Sequence, residues 1–262
     1  MNFTLFEIFR KLPADPVPPP MLRTPLPAIV IILGYLLLIF KVGPDFMRFR
    51  KPFNIRKTML IYNFCQVLMN SAFFVMGTRF FFIWKLYDLR CMESLPWDHP
   101  YKDTDRWLTY LFFINKVIDL MDTVFFVLRK SSKQITVLHV YHHVLMVLAV
   151  SFVYYSYGPG GQYNLMGYLN SFVHAVMYAY YFASAWYPNV KNTFWLKQYI
   201  TKLQIIQFVI LLTQSVLTLW LHPGCRVPKF QQFLQLGVSL SMIVMFGNFY
   251  YQTYVKAKSK QQ

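Results

Sequence analysis

Residues 135–155 read ITVLHVYHHVLMVLAVSFVYY. The run is 21 residues long and carries no Asp, Glu, Lys or Arg, enough for a helix that crosses a hydrocarbon core roughly 30 Å thick. Three imidazoles stand inside it, His139, His142 and His143, at i, i+3 and i+4. That spacing puts them on one face of a helix. Ionisable rings at membrane depth are costly, so each is a functional candidate by default.

The rest of the chain has the same character. Of 262 residues, 56% are hydrophobic, 19% aromatic and only 14% charged. Apolar blocks of about twenty residues alternate with short charged stretches, the pattern of an all-α polytopic membrane protein. Seven spans are expected, near 26–43, 61–84, 107–128, 135–157, 164–187, 199–222 and 230–255. No repeat is apparent, so a single membrane domain is expected over 1–262. It divides into a lumenal lead-in at 1–25, a seven-helix core at 26–255 and a basic cytosolic tail at 256–262. The amino end has a short apolar stretch, Glu7 and no small-residue cleavage site, so it does not read as a signal peptide. Cys65, Cys91 and Cys225 show no metal-ligand spacing and no disulfide framework.

Sorting charge by side orients the chain. The face holding the first loop collects fifteen basic residues against one acid, Asp45. The opposite face collects ten basic residues against seven acids. Basic residues concentrate on the cytosolic side, so the C-terminus is expected in the cytosol and the N-terminus in the lumen. The net charge of +16 then reads as attraction for anionic lipid or phosphorylated ligands rather than for nucleic acid. Two short signals agree: the sequon Asn2-Phe3-Thr4 on the lumenal side, and Lys258 and Lys260 in a tail resembling an endoplasmic-reticulum retrieval signal.

Depth places the remaining polar residues. At 1.5 Å per residue the three histidines lie roughly 6–12 Å below the cytosolic face, Asp122 and Asp119 roughly 9 and 14 Å, with Lys116 deeper. The short connection RKSSKQ makes these two spans antiparallel neighbours. His174, Tyr178 and Tyr181 follow in the fifth span; Thr201, Gln204 and Gln207 in the sixth; Asn63, Gln66 and Asn70 in the second; and Asn248 in the seventh. Spans two to seven thus carry polar residues in their cytosolic halves, while their lumenal halves run to Phe, Leu, Val, Tyr and Trp. The first span has almost none and is expected to pack outside the others. A chamber with a polar cytosolic mouth and an apolar floor suits an amphiphile with a charged head and a long tail.

Three chemistries fit the histidines. They could ligate a metal, as histidine boxes do in membrane desaturases and hydroxylases, but those resemble sites of eight or more histidines and this chain has six. They could act directly, as general base or as a nucleophile forming an acyl intermediate, oriented by Asp119 or Asp122. Lys116 can pair with those acids, the cheap way to bury the charges. A seven-helix lipid receptor explains the span count but not the cluster.

KVIDLMDT at 116–123, HVYHH at 139–143, HAVMYAYY at 174–181 and TKLQIIQ at 201–207 resemble, in order and spacing, the very-long-chain fatty acid elongases, which are membrane 3-oxoacyl-CoA synthases. NSFVH and DTVFFVLRK look like that family too, and the likeness spans roughly residues 25–255. One departure is visible: the family pattern KxxExxDT has Glu where this chain has Asp119, shortening the carboxylate's reach by one methylene. The resemblance implies seven helices in the endoplasmic reticulum, six of them ringing an acyl tunnel. It implies condensation of a long acyl-CoA with malonyl-CoA, with loss of carbon dioxide, to a 3-oxoacyl-CoA two carbons longer. No bound cofactor or metal is expected, the partners being the two CoA thioesters and membrane lipid. The downstream ketoacyl reductase, dehydratase and enoyl reductase are further expected partners, and a homodimer is left open. On this reading His142 takes the acyl group. His139, His143, His174, Asp119 and Asp122 assist, and Lys116, Asn70, Tyr178, Tyr181, Gln204, Gln207 and Thr201 bind substrate.

Overall fold

The computed structural model describes residues 14–191 and 193–256, and among them the fold is helical, without strands. The sequon at Asn2 and the tail lysines 258 and 260 lie outside the described residues. The long helices are α1 (Leu26–Met47), α2 (Arg56–Ile83), α3 (Lys102–Asp119), α4 (Met121–Leu128), α5 (Val137–Tyr157), α6 (Gln162–Trp186), α7 (Phe194–Leu221) and α8 (Lys229–Val255). Five of them, α1, α2, α5, α7 and α8, are long and apolar enough to cross a membrane. The other two expected spans are present as helices but fall short of that measure. The α3–α4 pair carries Lys116, Asp119 and Asp122, and α6 carries Asn164, Asn170, His174 and a run of tyrosines.

The helices sort into two compact units, one from Met1–Ile55 and Pro96–Gly160, the other from Arg56–Leu95 and Gly161–Gln262. In the first, α1 and α3 pack against α5, and the last turn of α1 packs against α4. Pro44 deprives α1 of a backbone donor, and a widened π-turn over Leu38–Val42 absorbs the defect. A Cβ on Gly43 would stand 2.7 Å from the Leu38 carbonyl and 2.7 Å from Val127 Cγ1, so glycine allows the close approach of α1 to α4. Between α3 and α4 the backbone tightens at Leu120, with i→i+3 bonds from Leu120 N–H to Val117 O and from Thr123 N–H to Leu120 O, both 3.2 Å. Helix α5 starts at an N-cap, Thr136, whose hydroxyl accepts the His139 N–H, and stops at Gly158, where φ is +90°.

The lead-in is bound to this unit. Asp15 is fully buried and accepts from Arg106 Nε at 2.7 Å, Arg106 Nη2 at 3.1 Å, Tyr154 Oη at 2.5 Å and Val17 N at 3.0 Å. Arg106 also pairs with the exposed Asp103, and Ala14 N–H bonds Tyr155 O. Proline blocks helix here, but Asp15 converts the irregular segment into a strap across α3 and α5. Burial alone would raise the Asp15 carboxyl; hydrogen bonds from Arg106, Tyr154 and Val17, with the Arg106 charge, outweigh it and hold the group below its ordinary value.

In the second unit α2 lies along α6, and α7 packs on both α8 and α6. Phe208 and Phe246 stack between α7 and α8 with centroids 5.9 Å apart. Two expectations are corrected here. Cys91 and Cys225 form a disulfide, Cα–Cα 5.7 Å, tying the segment after α2 to the α7–α8 turn. Glu93 reinforces the join by accepting the Arg226 N–H at 3.0 Å. And the far ends of α6, α7 and α8 are not simply apolar. Gln162, Ser215, Thr218, Gln231, Gln232 and Gln235 are buried there, with Gln162 Nε2 donating to Ser215 Oγ at 3.0 Å and Gln232 Nε2 donating to Gln162 Oε1. Gln162 thus bridges α6 to both α7 and α8 through the two ends of its amide.

Candidate functional site

The α5 cap sets the histidines. Once Thr136 fixes the first turn, His139, His142 and His143 share a face, with the His139 and His143 ring centroids 4.4 Å apart and those of His142 and His143 5.7 Å apart. His143 is buried, and His139 and His142 are partly so. Phe126 of α4 lies against His139 at 5.2 Å. Among the described residues, no three ligand atoms of this cluster come within 4.8 Å of one another.

The α3–α4 face meets this trio through a threonine. Lys116, Asp119 and Thr123 share one helix face and are almost fully buried. Lys116 Nζ and the Asp119 carboxylate form an ion pair at 2.7 Å, with Lys116 also over the Phe112 ring at 4.9 Å. Asp122 is half-buried at the start of α4. The group on His139 Nε2 is Thr123 Oγ1 at 2.8 Å, and Thr123 Oγ1 lies 2.8 Å from Tyr35 Oη of α1. Helix α1 thus contributes a buried hydroxyl to the row that ends on His139, a contact no expectation included. Tyr35 escaped notice because one tyrosine in an apolar span looks like packing, and its partner lies 88 residues away.

The second unit holds an uncharged row of its own. Asn70 Nδ2 donates to Gln66 Oε1 at 3.1 Å, Gln66 Nε2 donates to Tyr62 Oη at 3.4 Å, and the Tyr62 and Tyr178 hydroxyls lie 3.4 Å apart. Tyr178 is fully buried and edge-on to His174 at 5.7 Å and to Tyr181 at 5.9 Å. Tyr62 was missed in the sequence although the signal was there: Tyr62, Gln66 and Asn70 repeat every four residues along one face of α2. Gln204 Nε2 donates to Met177 Sδ at 3.8 Å, and Gln207 is buried nearby on α7. Thr201 Oγ1 donates to the Lys197 carbonyl at 3.0 Å and lies 3.4 Å from Tyr254 Oη, so it also joins α7 to α8. Asn248 is exposed on the outer side of α8. Arg56, at the start of α2, donates to the last carbonyls of α6, those of Ala185 and Trp186, at 2.9 and 3.3 Å.

The named residues thus gather as two clusters. One holds the trio, Lys116, Asp119, Thr123 and Tyr35; the other holds His174, Tyr178, Tyr181, Tyr62, Gln66 and Asn70. Over residues 20–262 the chain matches the GNS1/SUR4 (ELO) family. It belongs to that family. A Drosophila melanogaster protein named very long chain fatty acid elongase F is 40% identical over 248 residues, 95% of this chain and 96% of its own length. Very long chain fatty acid elongase 4 of Homo sapiens is 33% identical over 240 residues, covering 91% of this chain and 74% of its own length. A second Drosophila melanogaster protein, very long chain fatty acid elongase 7, is 33% identical over 244 residues, 93% of this chain and 73% of its own. Both polar clusters of this GNS1/SUR4 member fall inside the matched residues.

Proposed function

We propose that the chain condenses a long-chain acyl-CoA with malonyl-CoA to give a 3-oxoacyl-CoA two carbons longer. The observation that carries this is the packing of His139, His142 and His143 at the capped end of α5, in a chain whose relatives are named very long chain fatty acid elongases. His142 attacks the acyl thioester carbonyl and CoA leaves as the thiolate, giving an acyl-imidazole. Malonyl-CoA loses carbon dioxide, and the enolate carbon attacks the acyl-imidazole carbonyl, forming the carbon–carbon bond and freeing the ring. His139, held by Thr123, and His143 orient the nucleophile and pass protons. His174 meets the malonyl carboxylate or the enolate oxygen. The residues of the α2–α6 row, with Gln204 and Gln207, bind the polar part of the substrate.

Seven spans, six of them ringing an acyl tunnel, belong to the same reading, as does residence in the endoplasmic reticulum with the N-terminus lumenal. The disulfide supports that orientation: charge sorting puts the segments carrying Cys91 and Cys225 on the lumenal side, where disulfides persist. The test incubates purified chain, metal chelated, with a panel of acyl-CoAs and labelled malonyl-CoA. Two-carbon-longer 3-oxoacyl products are expected, and His142→Ala, still folded, makes none. Product formation by His142→Ala would remove His142 as the nucleophile, and no product from any acyl-CoA would overturn the reaction itself.

A further inference from the structure

We propose that Tyr35 and Thr123 are positioning residues that fix the proton of His139 on Nδ1, leaving Nε2 as a hydrogen-bond acceptor. The inference deepens the condensation reading and rests on it for its catalytic meaning, but it stands on geometry of its own. Thr123 Oγ1 is 2.8 Å from His139 Nε2 and 2.8 Å from Tyr35 Oη, and Thr123 is fully buried. The three side chains come from α4, α5 and α1, so three helices must be in register for the row to form.

Direction follows from counting protons. Tyr35 is 5% exposed, and its hydroxyl has Thr123 as its sole hydrogen-bond partner among the described residues. If Tyr35 accepted from Thr123, its own phenolic proton would be buried without an acceptor, at the full desolvation cost of that group. Tyr35 therefore donates to Thr123. A threonine hydroxyl has one proton and two lone pairs; Tyr35 and His139 are the partners of Thr123 Oγ1 among the described residues, so with Tyr35 donating, the buried Thr123 proton has its acceptor at Nε2. A neutral imidazole accepting at Nε2 carries its hydrogen on Nδ1. Each donor in the row polarises the next.

Two consequences reach the chemistry. Nε2 of His139 is engaged and is not the atom that takes an acyl group. And the ring, gripped at Nε2 and flanked by Phe126 at 5.2 Å, is held edge-on to His143 at 4.4 Å with a fixed tautomer. The first helix, which carries none of the expected site residues, thereby sets the state of the cluster.

The experiment uses full-length chain in lipid bilayers with ¹⁵N-labelled histidine, read by solid-state NMR, with His139→Gln assigning the resonance. The intact chain is expected to show His139 protonated at Nδ1 and unprotonated at Nε2. Tyr35→Phe and Thr123→Val are expected to turn this into a tautomer mixture, while Thr123→Ser keeps the wild-type pattern. In malonyl-dependent elongation the first two lose roughly tenfold or more in kcat with little change in KM, the lower end of what orienting a catalytic group contributes, and Thr123→Ser restores most of it. A protonated Nε2 in the intact chain overturns the proposal. So does an unchanged ring pattern in Tyr35→Phe, or a loss of activity that only tracks a loss of thermal stability. The ring pattern does not depend on turnover: if the intact chain makes no elongated product, the condensation reading fails while the NMR result still decides the row.

Discussion

Replacing Asp15 by Asn tests whether the proline-rich strap is structural. The exchange keeps the shape and one acceptor oxygen but removes the charge that faces Arg106. The carboxylate is fully buried and the guanidinium side chain 12% exposed, so the pair lies away from water. Removing one partner of a buried pair costs about 3–5 kcal/mol, chiefly by stranding the other charge. Arg106 retains Asp103, whose side chain is 81% exposed and therefore a weak, screened partner. Val17 donates to one carboxylate oxygen and Tyr154 to the other, so the single oxygen of Asn keeps Val17's acceptor, while the Tyr154 hydroxyl can turn to accept from the new amide NH2. The net expectation is about 2–3 kcal/mol, which lowers a thermal midpoint by about 4–10 °C in a chain of this size. Differential scanning fluorimetry in mild detergent measures it. The pH dependence gives a second reading. A carboxyl held below its ordinary value contributes stability that is present above its unfolded pKa, about 3.9, and is lost as pH falls through the lower folded value. The gap between the native chain and Asp15→Asn should therefore be flat from about pH 7 to 5 and close only below about pH 4. A midpoint for Asp15→Asn within about 1 °C of native would refute the reasoning, since it would mean the strap carries less than ~0.5 kcal/mol.

Two further expectations concern the units separately. In unreduced protein denatured in SDS, a maleimide should label Cys65 and leave Cys91 and Cys225 unmodified until reduction; Cys91→Ser should expose Cys225 to labelling and cost about 2–5 kcal/mol in thermal stability. Labelling of Cys225 before reduction would count against the bond. Lys116→Ala should destabilise by about 3–5 kcal/mol because it strands a buried Asp119, whereas the double change Lys116→Met with Asp119→Leu should recover most of that loss. A double variant no more stable than the single one in the same melting assay would show that the pair is not the cause.

The parts of this molecule legible in the sequence are those governed by near neighbours along the chain. The apolar run at 135–155 is long enough to span, and the spacing of His139, His142 and His143 puts them on one face whatever surrounds them. The pairing of Lys116 with an acid was also readable, because i and i+3 on a helix are adjacent. What stayed hidden depends on tertiary closure. Cys91 and Cys225 are separated by 134 residues, and only the turns at one end of the second unit bring them together. Tyr35 gives no local sign of its role, since its hydroxyl meets Thr123 rather than anything on α1.

Helix phase explains the remaining misses, and it shows which signal to weigh. On α8 the buried positions Gln235, Ser239, Met242 and Phe246 follow a 3- and 4-residue rhythm, so the inward stripe is continuous from the disulfide end onward. Asn248 falls two residues after Phe246, about 200° around the helix, and is exposed for that reason despite its depth. Gln231, Gln232 and Gln235 sit at the helix start, where depth alone would leave them at the wet interface, yet phase carries them inward against Gln162 and Ser215. The same rule separates Tyr62, in phase with Gln66 and Asn70, from Cys65, which is out of phase and exposed. In a membrane bundle, depth along the span tells which polar residues could share a level, and phase tells which of them face protein. A residue earns a place in a buried site when both agree, as they do at His139, Thr123, Tyr178 and Gln66.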